Sequence, residues 1–219
     1  LIECKNLTFT YPGAQNPSLE NISFTIRPKE KIGIIGKTGC GKTTLVDLLT
    51  RIYNVDEGCL YIDGIDIMQL PIQKVRDLIS YVPQDNFLFN DTILNNIAFS
   101  QKSLSLEQAI LFAKYACVDD NIQEFPLKYE TMIGERGVSL SGGQKQRISM
   151  ARAMAKNAKI LILDDSVSAV DTKTEANILD TIHRDFKDKT IIMIAHRLKT
   201  VEHADQILVL DKGQIVQQG

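Results

Sequence analysis

The sequence predicts an α/β fold: a mainly parallel core sheet, an antiparallel β portion near the N-terminus and an inserted helical portion. Three observations predict it. An apolar run at residues 32–35 (IGII) leads into a glycine-rich loop at 36–44 (GKTGCGKTT), and then into Leu45, Val46, Leu48 and Leu49, the buried face of a helix. Two more runs, ILIL within ILILDD (160–165) and TIIMIA (190–195), are continuously apolar, as in parallel strands covered on both faces. From about 85 to 129 helical spacing replaces strands, with apolar residues at Ile93, Ile97 and Ala98, then Ala109, Ile110, Phe112, Ala113 and Ala116.

The elements follow in order. Ile2, Cys4, Leu7 and Phe9, then Ile22, Phe24 and Ile26, alternate with polar residues around Pro12, Gly13 and Pro17, which reads as short antiparallel strands. Leu60, Tyr61 and Ile62 form a strand turned by Asp63-Gly64. Pro71 opens a short helix to residue 79, and Tyr81-Val82 is a strand ending at Pro83 and Gln84. Asp91 and Ser105 read as helix N-caps, Ser105 with Gln108 forming a capping box. LSGGQKQR (140–147) is another capping box, Ser141 with Gln144. Its helix continues along an apolar face at Ile148, Ala151, Met154 and Ala155, and Lys145, Arg147, Arg152 and Lys156 are expected on a solvated one. A helix is expected over 175–186, and the last strands, 207–210 and 214–216, join through a DKG turn. The chain therefore reads as one domain, 1–219, with a core and β subdomain at 1–84 and 158–219 and a mainly helical subdomain at 85–157.

The 219 residues, 44% hydrophobic, suffice for one sizeable core with a satellite. A net charge of −2 gives no basic excess, so a nucleic-acid partner is not expected. Cys4, Cys40, Cys59 and Cys117 are scattered without a C-x-x-C pair, which disfavours disulfides or zinc and suits a reducing compartment. No run reaches the roughly 18 apolar residues of a membrane helix, and no signal peptide is expected. Strand-like sequence at both ends reads as a domain cut from a longer polypeptide.

The chemistry concentrates in four places. The loop fits G-x-x-x-x-G-K-[ST] at Gly36, Gly41, Lys42 and Thr43, in the strand–loop–helix context of a P-loop NTPase core. Its backbone N–H groups, with Thr38, Gly39 and Cys40 between the motif glycines, and the positive end of the following helix suit phosphate. Lys42 reaches the β- and γ-phosphates and the Thr43 hydroxyl takes one Mg²⁺ position. Cys40 lies inside this loop, so an alkylating reagent is expected to compete with nucleotide.

The capping box accounts for Ser141 and Gln144 but not for Gly142 and Gly143. Two glycines in a first helical turn cost roughly 0.5 to 1 kcal/mol each against alanine, unless something approaches the bare backbone. That helix N-terminus invites a phosphate. Asp164 and Asp165 emerge where open α/β sheets place ligands: Asp164 as Mg²⁺ partner, Asp165 where a water-activating base sits. His196, after the next strand, is either structural or a γ-phosphate contact; Tyr11 either covers its own sheet or stacks on a purine.

With the phosphate loop, LSGGQ and ILILDD in this order, the whole chain resembles the nucleotide-binding domain of an ATP-binding cassette (ABC) transporter. YVPQDNFLFNDTILNNIAF (81–99) and GERGVSLSGGQ (134–144) resemble exporters more than importers. The resemblance implies ATP and Mg²⁺ as ligands and a location at the cytoplasmic face of a membrane. It makes Tyr11 the adenine-stacking aromatic, Lys42 and the 39–43 backbone the phosphate cradle extended by Thr44, and Thr43 and Gln84 Mg²⁺ ligands. Gln84 also heads a loop that touches the coupling helices of transmembrane domains. Ser141, Gly142 and Gly143 would grip the γ-phosphate of ATP held by a second such domain, paired head to tail. Residues 168–171 (SAVD), ending at Asp171, resemble the loop crossing between the two ATP sites, and His196 the switch histidine.

Two departures carry consequences. The family usually has glutamate where this chain has Asp165. A carboxylate set back by roughly an ångström can lose on the order of a hundredfold in rate. The expectation is a degenerate site that holds ATP and hydrolyses it slowly, paired with a non-identical, competent subunit for which the intact LSGGQ serves. An active homodimer, a non-transport ABC ATPase and a site where ATP acts only as glue are the alternatives. Exporters often read T-E-V-G-E-R-G where residues 131–137 are TMIGERG; Met132 removes a carboxylate from the contact with the membrane domain.

Overall fold

The fold is that of a computed structural model, which describes residues 1–134 and 137–219. Glu135 and Arg136, part of the exporter-like stretch, lie outside the described residues.

In chain order, β1 (Ile2–Phe9) and β2 (Leu19–Ile26) pair antiparallel as the alternation predicts, with Ile2 opposite Ile26 and Cys4 opposite Phe24. β3 (Lys31–Gly36) feeds the glycine loop and α1 (Lys42–Leu49). β4 (Leu60–Ile62) and β5 (Ile65–Asp66) turn at Asp63 and Gly64, both at positive φ, and complete a sheet ordered β2-β1-β4-β5. Then come α2 (Ile72–Asp77), whose N-cap is Pro71, and β6 (Ile79–Val82). β7 (Asp91–Thr92), α3 (Ile93–Ile97), α4 (Leu106–Tyr115), α5 (Asp119–Gln123), β8 (Met132–Ile133) and α6 (Gly142–Ala155) form the helical stretch. The chain ends through β9 (Ile160–Asp164), α7 (Thr172–Asp185), β10 (Thr190–Ala195), α8 (Leu198–Val201), β11 (Gln206–Asp211) and β12 (Gln214–Gln218).

The chain divides into two compact units: 1–79 with 159–164 and 188–219, and 80–158 with 165–187. The first holds the larger sheet, ordered β12-β11-β3-β10-β9-β6, with β6 entering at Ile79. β3 is parallel to β10 and β11, and β10 to β9; β12 returns antiparallel through a turn at Lys212 and Gly213. Every residue of β9 and β10 is buried, which is what their unbroken apolar runs require. Gly33 interrupts the apolar run of β3 for a packing reason: a Cβ there would lie 2.5 Å from Val201 Cβ of α8.

In the second unit α6 packs against α3 and α4, and α4 against α7. Ser105 and Gln108 make the expected reciprocal box at α4. The N-cap of α3 is Thr92, whose side chain accepts from Asn95 N at 3.0 Å, one residue after the expected Asp91; Asp91 sits in β7 instead, bonding Thr92 N and Asn95 Nδ2. α7 starts at Thr172, earlier than expected, because Asp171 caps it.

The expected solvated face of α6 is corrected for two of its four cations. Arg147 donates to Gly143 O, Cys117 O and Asn121 Oδ1. Arg152 donates to Asn96 O and Phe87 O, both at 2.8 Å, and to Asn96 Oδ1 at 2.6 Å, and lies over the Phe89 and Phe99 rings. Burial lowers its pKa to about 10. Residue spacing defines a helix face but not what other segments bring to it.

Candidate nucleotide site

In the first unit the phosphate loop is built as an anion cradle. Gly39 (φ +79°) and Gly41 (φ +107°) hold left-handed conformations that other residues rarely adopt. Gly41, the N-cap of α1, has no side chain to cap the helix, and among the described residues no side-chain cap is made, which suits its first N–H groups to a ligand. A Cβ at Gly39 would meet open space, so there it is conformation that requires glycine; at Gly41 it would also strike Leu19 Cδ2 at 2.6 Å. Lys42, 6% exposed, folds back to donate to Gly36 O at 2.7 Å and Lys37 O at 3.0 Å. It is thereby held at the loop's centre, with an ammonium that can exchange carbonyls for phosphate oxygens. Thr38 and Thr43 are exposed on the loop and the first turn of α1.

Cys40 lies inside the loop, with its sulfur turned inward. It is 4% exposed, its Sγ lies 3.8 Å from Lys42 Nζ, and it packs where a Gly36 Cβ would be, 2.6 Å away. The sulfur is part of the loop's interior, which leaves the Cys40 backbone to face the cradle.

Tyr11 stands beside the same helix. Its hydroxyl donates to Thr44 Oγ1 at 3.0 Å, with Asp47 Oδ2 a second acceptor at 3.4 Å. Phe9 and Tyr53 meet its ring in T-shaped contacts, each with centroids 5.0 Å away. Burial raises the pKa of Tyr11, against the lowering effect of the Thr44 hydrogen bond, and burial likewise raises that of Asp47.

Asp164, 2% exposed, ends β9, and His196, exposed, follows β10; Ile194 pairs with Asp164 across the sheet. Thr43 and Asp164 offer hydroxyl and carboxylate oxygens, the donors a hard cation such as Mg²⁺ selects.

The second unit holds the other candidates. Ser141 caps α6 and Gln144 reciprocates: Ser141 Oγ accepts from Gln144 N at 3.2 Å, and Ser141 N donates to Gln144 Oε1 at 3.0 Å. The two glycines now separate. A Cβ at Gly143 would lie 3.0 Å from Ala169 O, a close approach made within this chain; one at Gly142 would meet nothing within 4 Å. Gln146, 2% exposed, donates to Asp165 O and accepts from Ala169 N, both at 3.3 Å, tying the signature helix to the turn after Asp164. Asp165 holds a left-handed backbone (φ 45°), which aspartate tolerates better than most residues. Asp171 accepts from Lys173 N and Thr174 N at 3.1 Å as the cap of α7, and those hydrogen bonds, with that of the Thr174 hydroxyl, lower its pKa. Gln84 is exposed after β6.

Sequence reasoning missed Asp47, Tyr53 and Gln146. Gln146 had a signal, a polar residue within the buried side of α6; Asp47 and Tyr53 are tied to Tyr11 only by the fold.

Residues 19–168 match the family model described as ABC transporter. An ATP-dependent lipid A-core flippase of Methylobacillus flagellatus is 46% identical over 98% of this chain and 37% of its own length. A probable multidrug resistance ABC transporter ATP-binding/permease protein of Bacillus subtilis is 47% identical over 98% and 37%. A solved structure described as a bacterial Atm1-family ABC exporter with ATP bound superposes with TM-score 0.94 at 41% identity, covering all of this chain and 38% of the other. The chain thus spans little more than a third of the curated relatives it matches. A match across most of its length, on the loop, signature and strand that carry the chemistry, makes the chain a member of the ABC transporter family, an ATPase domain of the exporter kind.

Proposed function

We propose that this chain binds and hydrolyses ATP to drive an exporter, pairing head to tail with a second nucleotide-binding domain at the cytoplasmic face of a membrane. The observation that carries the reading is the uncapped α1 N-terminus with Lys42 held at the centre of its loop. Lys42, the loop N–H groups and Thr44 would bind and orient the phosphates, and Tyr11 would hold the base. Thr43, Gln84 and Asp164 would hold Mg²⁺, which when bound neutralises charge on the transferring phosphoryl group. Asp165 would orient the attacking water and His196 contact the γ-phosphate. The open backbone at Gly142 supports the pairing, since within the described residues nothing occupies it. Coupling helices of transmembrane domains would dock near Gln84.

Asp165 in place of glutamate supports the finer reading: a degenerate site working beside a competent, non-identical subunit. The test is Mg²⁺-ATP turnover at high protein concentration, with Asp165→Glu alongside. Near-silence in the wild type and a gain of tenfold or more in Asp165→Glu support it. Brisk wild-type turnover sinks it in favour of a working homodimer, to which the intact His196 already points.

A further inference from the structure

The Tyr11 hydroxyl has one proton and two acceptors within reach, and both sit on α1, Thr44 in its first turn and Asp47 three residues on, the same face of the helix. One of them has another task in the reading above: Thr44 extends the phosphate cradle. A carboxylate drawn partly out of water is disfavoured unless it accepts hydrogen bonds, and at Asp47 the Tyr11 hydroxyl is what opposes that cost. Phe9 and Tyr53 brace the ring itself. The ring is thus fixed at both ends, by aromatic edges along its body and by α1 at its tip.

We propose that Asp47 is a positioning residue for the nucleotide base: it shares the Tyr11 hydroxyl with Thr44, and keeps the ring in place when Thr44 turns to phosphate. This rests on the reading of Tyr11 as the base platform. It links base and phosphate recognition through a single helix, whose first turn faces the phosphates and whose second anchors the platform. Asp47 itself touches neither base nor phosphate.

The test is calorimetric titration of the chain with ATP and, separately, with inorganic tripolyphosphate, which lacks a base. Asp47→Ala is expected to weaken ATP binding roughly three- to tenfold, the net effect of one ordinary hydrogen bond, as suits a 3.4 Å contact to a half-buried carboxylate, and to leave tripolyphosphate within about twofold. Tyr11→Phe is expected to reproduce that loss, and Tyr11→Phe combined with Asp47→Ala to be no worse than either alone. Unchanged ATP affinity in Asp47→Ala overturns the proposal. So does parallel weakening of both ligands, which would place Asp47 in the support of the phosphate loop. Tyr11→Ala separates the two levels: if it leaves ATP binding intact, the base-platform reading falls and Asp47's role with it; if it weakens ATP while Asp47→Ala does not, only the role of Asp47 falls.

Discussion

Replacing Arg152 by methionine keeps the stem's packing and removes every donor at its end. Three hydrogen bonds go, to Asn96 O, Phe87 O and Asn96 Oδ1, along with the stacking of the guanidinium over Phe89 and Phe99. Asn96 is 1% exposed; its Oδ1 keeps the Phe89 N–H, but its backbone carbonyl, in the last turn of α3, loses the Arg152 hydrogen bond. Hydrogen bonds to charged groups contribute about 1.5 to 3 kcal/mol each. Against this stands the cost of burying the guanidinium, already visible in its lowered pKa. The difference leaves a loss of about 2 to 4 kcal/mol for Arg152→Met. Arg152→Lys, with a point charge instead of a planar fork, cannot serve both carbonyls and should lose about half of that. Urea unfolding, read as a shift in midpoint at constant slope, measures it. A coupling of at least about 1 kcal/mol between Arg152→Met and Asn96→Ala would show that the two act together. A methionine variant within about 0.5 kcal/mol of wild type would refute the reasoning and return Arg152 to the solvated face suggested by its spacing.

Tyr129, 3% exposed, donates to Asp119 Oδ1 at 2.7 Å, and burial together with that carboxylate pushes its pKa well above the ordinary tyrosine value. A folded-state pKa raised above the unfolded one means its stabilising contribution is complete below about pH 10 and declines as pH rises beyond it. Alkaline unfolding should therefore be shallower in Tyr129→Phe, which is the less stable protein at pH 8; equal slopes in the two proteins would contradict this. For the cysteines, maleimide labelling of the native chain read by mass spectrometry should modify the half-exposed Cys59 and Cys117 before the buried Cys40. Rapid labelling of Cys40 that ATP blocks would instead show a loop thiol that faces the nucleotide.

Much of the fold was legible because its signals are local. Two all-buried parallel strands need unbroken apolar runs, and β9 and β10 have them. The capping boxes at Ser105 and Ser141 span four residues each, and both form as read. The glycine loop fixes its own strand and helix. What escaped was non-local. Arg152 reaches residues 56 and 65 positions away, so no window around it could show that it is enclosed. Asp91 lost the α3 cap to Thr92 because Asp91 is taken up by a two-residue ladder with β8, a pairing invisible at either strand alone. That the Cys40 sulfur is buried, 3.8 Å from the Lys42 ammonium, was likewise not visible in the loop's sequence. Of the candidate site, the residue types were legible and the partners were not: Tyr11 was visible, Asp47 and Tyr53 were not.

The signature glycines show how far a sequence puzzle can be resolved by geometry. Both looked like departures from helical propensity awaiting an outside ligand. Gly143 also has a reason within the chain: a Cβ there would lie 3.0 Å from the Ala169 carbonyl oxygen, tighter than an ordinary contact. Gln146, one turn further along α6, holds that carbonyl's neighbours with two hydrogen bonds, so the helix and the 165–169 turn are fastened at two levels. Gly142 is different. Its surroundings are open and its position, first in the helix, would accept alanine at a gain of about 0.5 to 1 kcal/mol in propensity. A glycine kept against that gain, beside an exposed Ser141 and with nothing within 4 Å of its Cβ direction among the described residues, suits the proposed approach of an outside ligand. Head-to-tail pairing supplies such a reason, because the phosphate that Gly142 would admit then arrives bound to another domain. The same turn that crowds Gly143 begins at Asp165, so the residue proposed to slow this domain's own site and the helix proposed to serve its partner's are joined through Gln146.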